Sequence, residues 1–162
     1  MTNSRFYEMA LERIHRETQH LTSFCEELDK NPTEKKKRII EYKRAKYRYA
    51  GATKVWCMFF HSHRVAEKNA ETHYLIPQVN DIFITVPEYV ACYNIAPEAE
   101  KRDYALYYGV IALADVEVAK HEAKLEGATD WERVELEERI GGLKYAKACL
   151  DDAWQRRKEV SE

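Results

Sequence analysis

Residues 31–71 read NPTEKKKRIIEYKRAKYRYAGATKVWCMFFHSHRVAEKNAE, and the fold turns on whether this stretch is one helix. Its opening, Asn31-Pro32-Thr33-Glu34, supplies a cap residue, a first-turn proline and a glutamate at the third helical position. Behind it an apolar seam runs through Tyr42, Ala45, Tyr49, Ala52, Trp56, Phe59, His63, Ala66 and Ala70. The steps alternate three and four, which is the stripe a helix turns toward a partner. The register passes Gly51 without a slip, although an interior glycine costs about 1 kcal/mol. The pattern predicts a single helix over 32–71, about 60 Å long at the standard rise.

The neighbouring stretches read the same way. Tyr7, Leu11, Ile14, Thr18, Leu21, Cys25 and Leu28 form a heptad seam for a helix over 4–30, about 40 Å long. Helix 32–71 should overhang it and leave Val55–Phe60 and the following turns to be covered by something else. A third helix, 97–126, carries Tyr104, Tyr107, Ile111, Ala114, Val118, His121 and Leu125, and Gly127 is its expected terminator. Its middle is apolar nearly all round, as in a helix buried on several sides. Thr129-Asp130-Trp131-Glu132 reads as a capping box for a fourth helix, 130–158. There Leu136, Ile140, Leu143, Ala146, Leu150 and Trp154 face inward, while Gly141-Gly142 permits a bend or a close crossing.

Between the second and third of these helices, residues 74–96 carry only Asp81 and Glu88 as charges. Pro77 and Pro87 break this segment, and Thr85-Val86-Pro87-Glu88 resembles a cap for a short helix through Tyr93. Residues 81–86 could instead form a strand, but a lone strand has no partner. The expectation is one all-α domain spanning 1–162: a bundle of four long amphipathic helices with a short helical or irregular insert at 74–96. The insert either packs over the overhang or presents Ile82, Phe83, Ile84, Tyr89 and Tyr93 as a protein interface.

Composition agrees. Five glycines and four prolines in 162 residues are too few for a β-sandwich, which needs a turn every 8–12 residues or so. Hydrophobic residues make up 45%, enough for a core, and a net charge of −2 argues against disorder and against a globally basic nucleic-acid coat. Cys25, Cys57, Cys92 and Cys149 are scattered without a CxxC pair and read as buried core thiols. The charged N-terminus lacks the apolar core of a signal peptide, and no long apolar run suggests a membrane span. The cytosol is therefore the expected compartment.

The strongest local signal is charge. Residues 34–54 hold nine basic residues against Glu34 and Glu41. On a helical wheel Lys36, Lys37, Lys43, Arg44, Arg48 and Lys54 share one broad face with Tyr47. Such a face can contact nucleic-acid phosphates or an acidic protein partner. It can equally be a solvated face matched to Glu135, Glu137 and Glu138. Four consecutive basic residues near a helix start oppose its dipole, which gives the cluster some reason to exist beyond folding.

Metal and catalytic signals are weaker. Glu12-x-x-His15 and Glu17-x-x-His20 match the Glu-x-x-His pattern of carboxylate-bridged di-iron bundles, but both lie on one helix where two are needed. Cys57/His61, His63/Glu67 and Glu117/His121 each place two ligand types one turn apart, yet seam histidines are more often hydrogen-bonded core residues. Arg13 and His20 are spaced as in some helical RNases, without the polar residue expected after the arginine. Asp115 lies in an apolar run, where an ionised carboxylate needs a partner. No P-loop, GxSxG or HExxH occurs. The chain reads as a non-enzymatic interaction protein, a small regulator or inhibitor that binds a protein or itself. A nucleic-acid-binding bundle is the alternative, and a metal-binding or hydrolytic bundle a distant third. No cofactor, membrane or small-molecule substrate is implied.

Overall fold

The computed structural model describes residues 4–68 and 100–158, the side chains of 61–68, 101, 102 and 105 excepted. These residues form five helices: α1 Arg5–Asp29, α2 Pro32–Lys37, α3 Ile39–Lys68, α4 Lys101–Leu125 and α5 Asp130–Arg156. Among the described residues there is no strand. The expected helices over 4–30, 97–126 and 130–158 are present within a few residues. The insert at 74–96 lies outside the described residues, as do Ile82, Phe83, Ile84, Tyr89 and Tyr93.

The helix expected over 32–71 is broken. Asn31 caps α2 as its sequence implies, its Oδ1 accepting from the Glu34 N–H at 3.2 Å. At Arg38 the backbone leaves helical geometry, with φ −111° and ψ 30°, and a new helix starts at Ile39. From there α3 runs unbroken through Gly51. The break reverses the expectation about the helix dipole. Lys35, Lys36 and Lys37 occupy the last turn of α2, where cations are favourable.

The break also removes the expected overhang of Val55–Phe60. Since α2 turns aside, α1 lies against α3 from Tyr42, which packs with Cys25 and Leu28, to Phe59, which packs with Phe6 and Tyr7. Val55 and Phe59 are fully buried by α1, α4 and α5.

The four long helices run up-down-up-down. α3 and α5 are the parallel pair in closest contact; α1 and α4 occupy the other two corners. Glycine explains that choice. A methyl group on Gly51 would lie 2.1 Å from the Arg139 carbonyl oxygen of α5, and one on Gly142 would lie 2.1 Å from the Arg48 carbonyl oxygen of α3. Each glycine is a seat for the backbone of the other helix. Of the two possibilities that Gly141-Gly142 left open, Gly142 makes a close crossing.

The core thickens at the end where α1 and α4 begin. Phe6 meets Phe59, Tyr107 and Trp154 edge-on, with ring centroids 5.8, 6.1 and 5.2 Å away. Trp154 stacks flat on Tyr107 at 4.6 Å. Ser4 fastens this end by two bonds: its Oγ accepts from the Tyr7 N–H and donates to Asp103 on α4 at 2.7 Å. Burial, and then the short hydrogen bond donated to Asp151 at 2.5 Å, push the Tyr107 hydroxyl pKa well above the usual range.

Several smaller expectations change. All six inward residues of α5 are buried, as read from the seam. On α1, Phe6 and Ala10 join the seam, while Leu11 and Leu21 are half-buried. On α3, Tyr49 is 37% exposed rather than inward. Thr129 precedes α5 without a side-chain cap; its carbonyl accepts the Glu132 N–H instead. Gly127 has negative φ, and Asp130 takes the left-handed conformation at φ 48°. Cys25 is buried and Cys149 half-buried, but Cys57 is exposed, so the uniform reading of core thiols fails there. Cys92 lies outside the described residues.

The glycine seat makes a sharp prediction. Gly141→Ala meets only the flexible Arg48 guanidinium at 3.4 Å and should stabilise the fold by about 0.5–1 kcal/mol through helix propensity. Gly142→Ala, one residue on, should destabilise it by about 2–3 kcal/mol through overpacking against backbone. Urea denaturation of both variants checks the opposite signs.

Candidate interaction surfaces

The nine basic residues of 34–54 do not form one uniform cationic face. Lys54 reaches α4 and donates to Glu117 at 2.7 Å. Arg48 faces α1 and α5, 3.7 Å from a Glu17 oxygen and over the Tyr145 ring at 5.4 Å. Lys43 lies over the Trp131 ring at 4.6 Å. Tyr47 is half-buried under the Arg139 guanidinium. Lys35 donates to Asp29 at 2.8 Å, and Tyr42 donates to the same oxygen, so hydrogen bonds from Lys35 and Tyr42 hold the Asp29 carboxyl below its usual range. Lys36, Lys37 and Arg44 are exposed, with no partner among the described residues.

The acids that match the basic residues are not the expected ones. Glu135 pairs with Arg139 and Glu137 with Arg133, each within α5. The matching carboxylates come from α1 and α4. Asp115 is paired as its setting required, accepting from Lys147 at 2.7 Å, but it is 55% exposed and not buried.

A second surface lies between α1 and α3. A hollow of about 520 Å³ is lined by Met9, Leu11, His15, Trp56 and Phe60, with Arg5, Glu8 and Glu12 on its rim. Through His15 and Trp56 it continues into a hollow of about 290 Å³ beside Thr18, Thr22, Tyr49 and Thr53. Through Thr22 and Tyr49 it continues again toward Asp29 and Lys46. From Arg5 to Asp29 the groove is about 36 Å long at the standard helical rise. Trp56 and Phe60, four residues apart, stack nearly parallel at 5.4 Å to make its wall. Phe60 is 37% exposed. The Trp56 Nε1 and the Thr53 Oγ1 are buried without a hydrogen-bond partner among the described residues.

The seam pattern placed Trp56 inward and did not single out Phe60 or Met9. The signal was in the run Val55–Phe60: six consecutive apolar residues cannot all fit the inward stripe of one helix, so some must face outward.

The chemical alternatives find little assembled. Among the described residues no group of three or more His, Cys, Asp and Glu side chains could hold a metal. Glu12 pairs with Arg16 and Glu17 with Arg48, and His20 is exposed. Glu117 is engaged by Lys54, while the His121 Nδ1 lies 2.7 Å from the Glu117 carbonyl oxygen. The His61, His63 and Glu67 side chains lie outside the described residues. Arg13 pairs with Asp152 of α5 rather than approaching His20. None of the helices is long and apolar enough, over the described residues, to cross a membrane.

Glu117 offers a test of the pairing. Burial raises its pKa, but the hydrogen bond and charge of Lys54, aided by Lys120, outweigh burial and set it below the ordinary 4.5. A depressed carboxyl stabilises the fold above its unfolded pKa, and that contribution fades as pH falls through the folded value. Glu117→Gln should lose about 0.5–1 kcal/mol at neutral pH and show a shallower acid limb than the parent in urea melts. Equal acid limbs would count against the pair. Comparison with family models, curated proteins and solved structures gave no match for this chain.

Proposed function

We propose that the protein is a non-enzymatic interaction module whose α1–α3 groove receives a helical segment of a partner protein or of a second copy. The observation that carries this reading is the wall of Trp56 and Phe60 beside an unanswered indole N–H. Trp56 packs in part against the core, but Phe60 stacked on it remains 37% exposed, and that apolar surface is left in water. A buried donor without an acceptor costs about 1–3 kcal/mol. An occupant that covers the rings takes the exposed Phe60 surface out of water, and the indole N–H, itself buried, gains an acceptor when the Trp56 ring shifts toward the occupant. Grooves of this kind take an amphipathic helix through anchors one turn apart, and about 36 Å accommodates a helix of roughly 24 residues. A module of this size that fills a surface of a larger protein acts as its regulator or inhibitor.

A photoreactive phenylalanine analogue in place of Phe60 tests the groove in the native host and in the purified protein. Adducts are expected from position 60 and from position 9, and not from the exposed α4 position 119. Leu11→Glu, with unchanged helicity by circular dichroism, should reduce adduct yield about tenfold, the scale of a single interface anchor. A strictly monomeric protein that gives no adduct at either groove position would sink the reading.

A further inference from the structure

The other exposed apolar cluster is at the far end of the bundle, where α2 gives way to α3 and α5 begins. Ile40 is 54% exposed, Ile39 37% and Trp131 42%. Ile40, Arg44, Asp130, Trp131 and Val134 line a hollow of about 290 Å³. The three basic residues of 34–54 without a partner among the described residues lie at the same end. Lys36 and Lys37 close α2 just before Ile39, and Arg44 follows Ile40 by one turn on the wall of the hollow. Lys43, over the Trp131 ring, adds a fourth cation.

Extending the interaction reading to this second surface, we infer that the end formed by α2, the start of α3 and the start of α5 docks a short acidic segment of a partner protein. A bulky apolar residue of the segment enters the hollow between Ile40, Trp131 and Val134. Carboxylates beside it meet Lys36, Lys37 and Arg44. Charge complementarity chooses the sign of the occupant, and the exposed isoleucines and tryptophan require that it also bring apolar surface.

The surrounding acids choose its size. Asp130 and Glu132 open α5 beside the hollow, and Glu41 sits one residue past Ile40, already paired to Arg38. A long polyanion or an extended anionic membrane surface would meet these carboxylates along with the lysines. A segment of a few residues meets Asp130 in the wall of the hollow but can set its own carboxylates toward the cations and away from Glu41 and Glu132. Trp131 also has Lys43 over its ring, which disfavours it as a platform for a nucleic-acid base.

The test is selection of a phage-displayed random dodecapeptide library on the full chain at low salt. Enriched peptides should carry two or more Asp or Glu beside a Leu, Ile, Phe or Trp. A synthetic peptide from that set should bind the parent protein, weaken with added salt, and lose affinity about tenfold or more on Arg44→Glu and on Ile40→Ser. Both positions are exposed, so helicity should be unchanged. Phe60→Glu in the α1–α3 groove should leave peptide binding intact, so the two surfaces fail or succeed separately. A short DNA duplex and phosphatidylserine vesicles are run beside the peptides. Enrichment without acidic residues, or peptides indifferent to both substitutions, would overturn the inference. So would duplex or vesicle binding that Arg44→Glu abolishes while no acidic peptide is enriched.

Discussion

The bundle depends on the close crossing of α3 and α5 at Gly51 and Gly142. Ordinary helix pairs stand about 8–10 Å apart because side chains hold them there. Here each helix sets a glycine against a backbone carbonyl of the other, and no side chain intervenes. The cross-section is therefore squeezed along the α3–α5 diagonal, and α1 and α4 are left to the outer corners. Each outer helix packs into the valley beside the α3–α5 pair. The aromatic end fills what remains, with Phe6 of α1 and Tyr107 of α4 meeting around Trp154.

The same geometry explains why the basic stretch of the sequence is not one surface. A helix that touches three others has little outer face to spare. Residues of α3 that a helical wheel places side by side point into different valleys: Arg48 toward Glu17 of α1, Lys54 toward Glu117 of α4. Beyond the glycine crossing Tyr42 packs on α1 and Lys43 lies over Trp131, but not every cation is taken up. There Lys36, Lys37 and Arg44 keep their charge unpaired among the described residues. Position along the helix, rather than angle around it, decides which cations are available to a partner.

Much of the fold was legible in the sequence. Seams at heptad spacing give α1 and α5 with few errors, since burial follows periodicity when a helix has one inward face; on α4 only Tyr107 and Ala114 of the seam are buried, and Leu106, Val110 and Leu113 are buried beside them. Asn31-Pro32 announces its cap through ordinary side-chain chemistry, whereas the box read at Thr129 makes no side-chain cap. What was hidden is tertiary. Nothing in Lys37-Arg38-Ile39 marks a break, because no glycine or proline is there. The break is tied to Asp29, which takes hydrogen bonds from Lys35 of α2 and Tyr42 of α3 at once. Asp130 is similar: a positive φ at a non-glycine residue is dictated by how α5 must start after its turn. The groove residues were partly visible, since a run of six apolar residues exceeds one helix stripe. Which of the six would face out depended on the glycine register.

That register places Val55 and Phe59 in the core and turns Trp56 and Phe60 onto the outer face. The largest fully buried side chains, among them Phe6, Phe59, Ile14, Leu106, Leu143 and Leu150, do not include the outward pair, though Trp56 packs in part against that core. A soluble surface is better served by charged residues at such positions, as α1 shows with Glu12 and Arg16 one turn apart. Two large aromatics at the same spacing leave Phe60 37% exposed, while Trp56 is held partly against the core. Trp56 thus joins the core on one side and, with an indole N–H buried without a partner among the described residues, forms with Phe60 the wall on which the proposed groove contact rests.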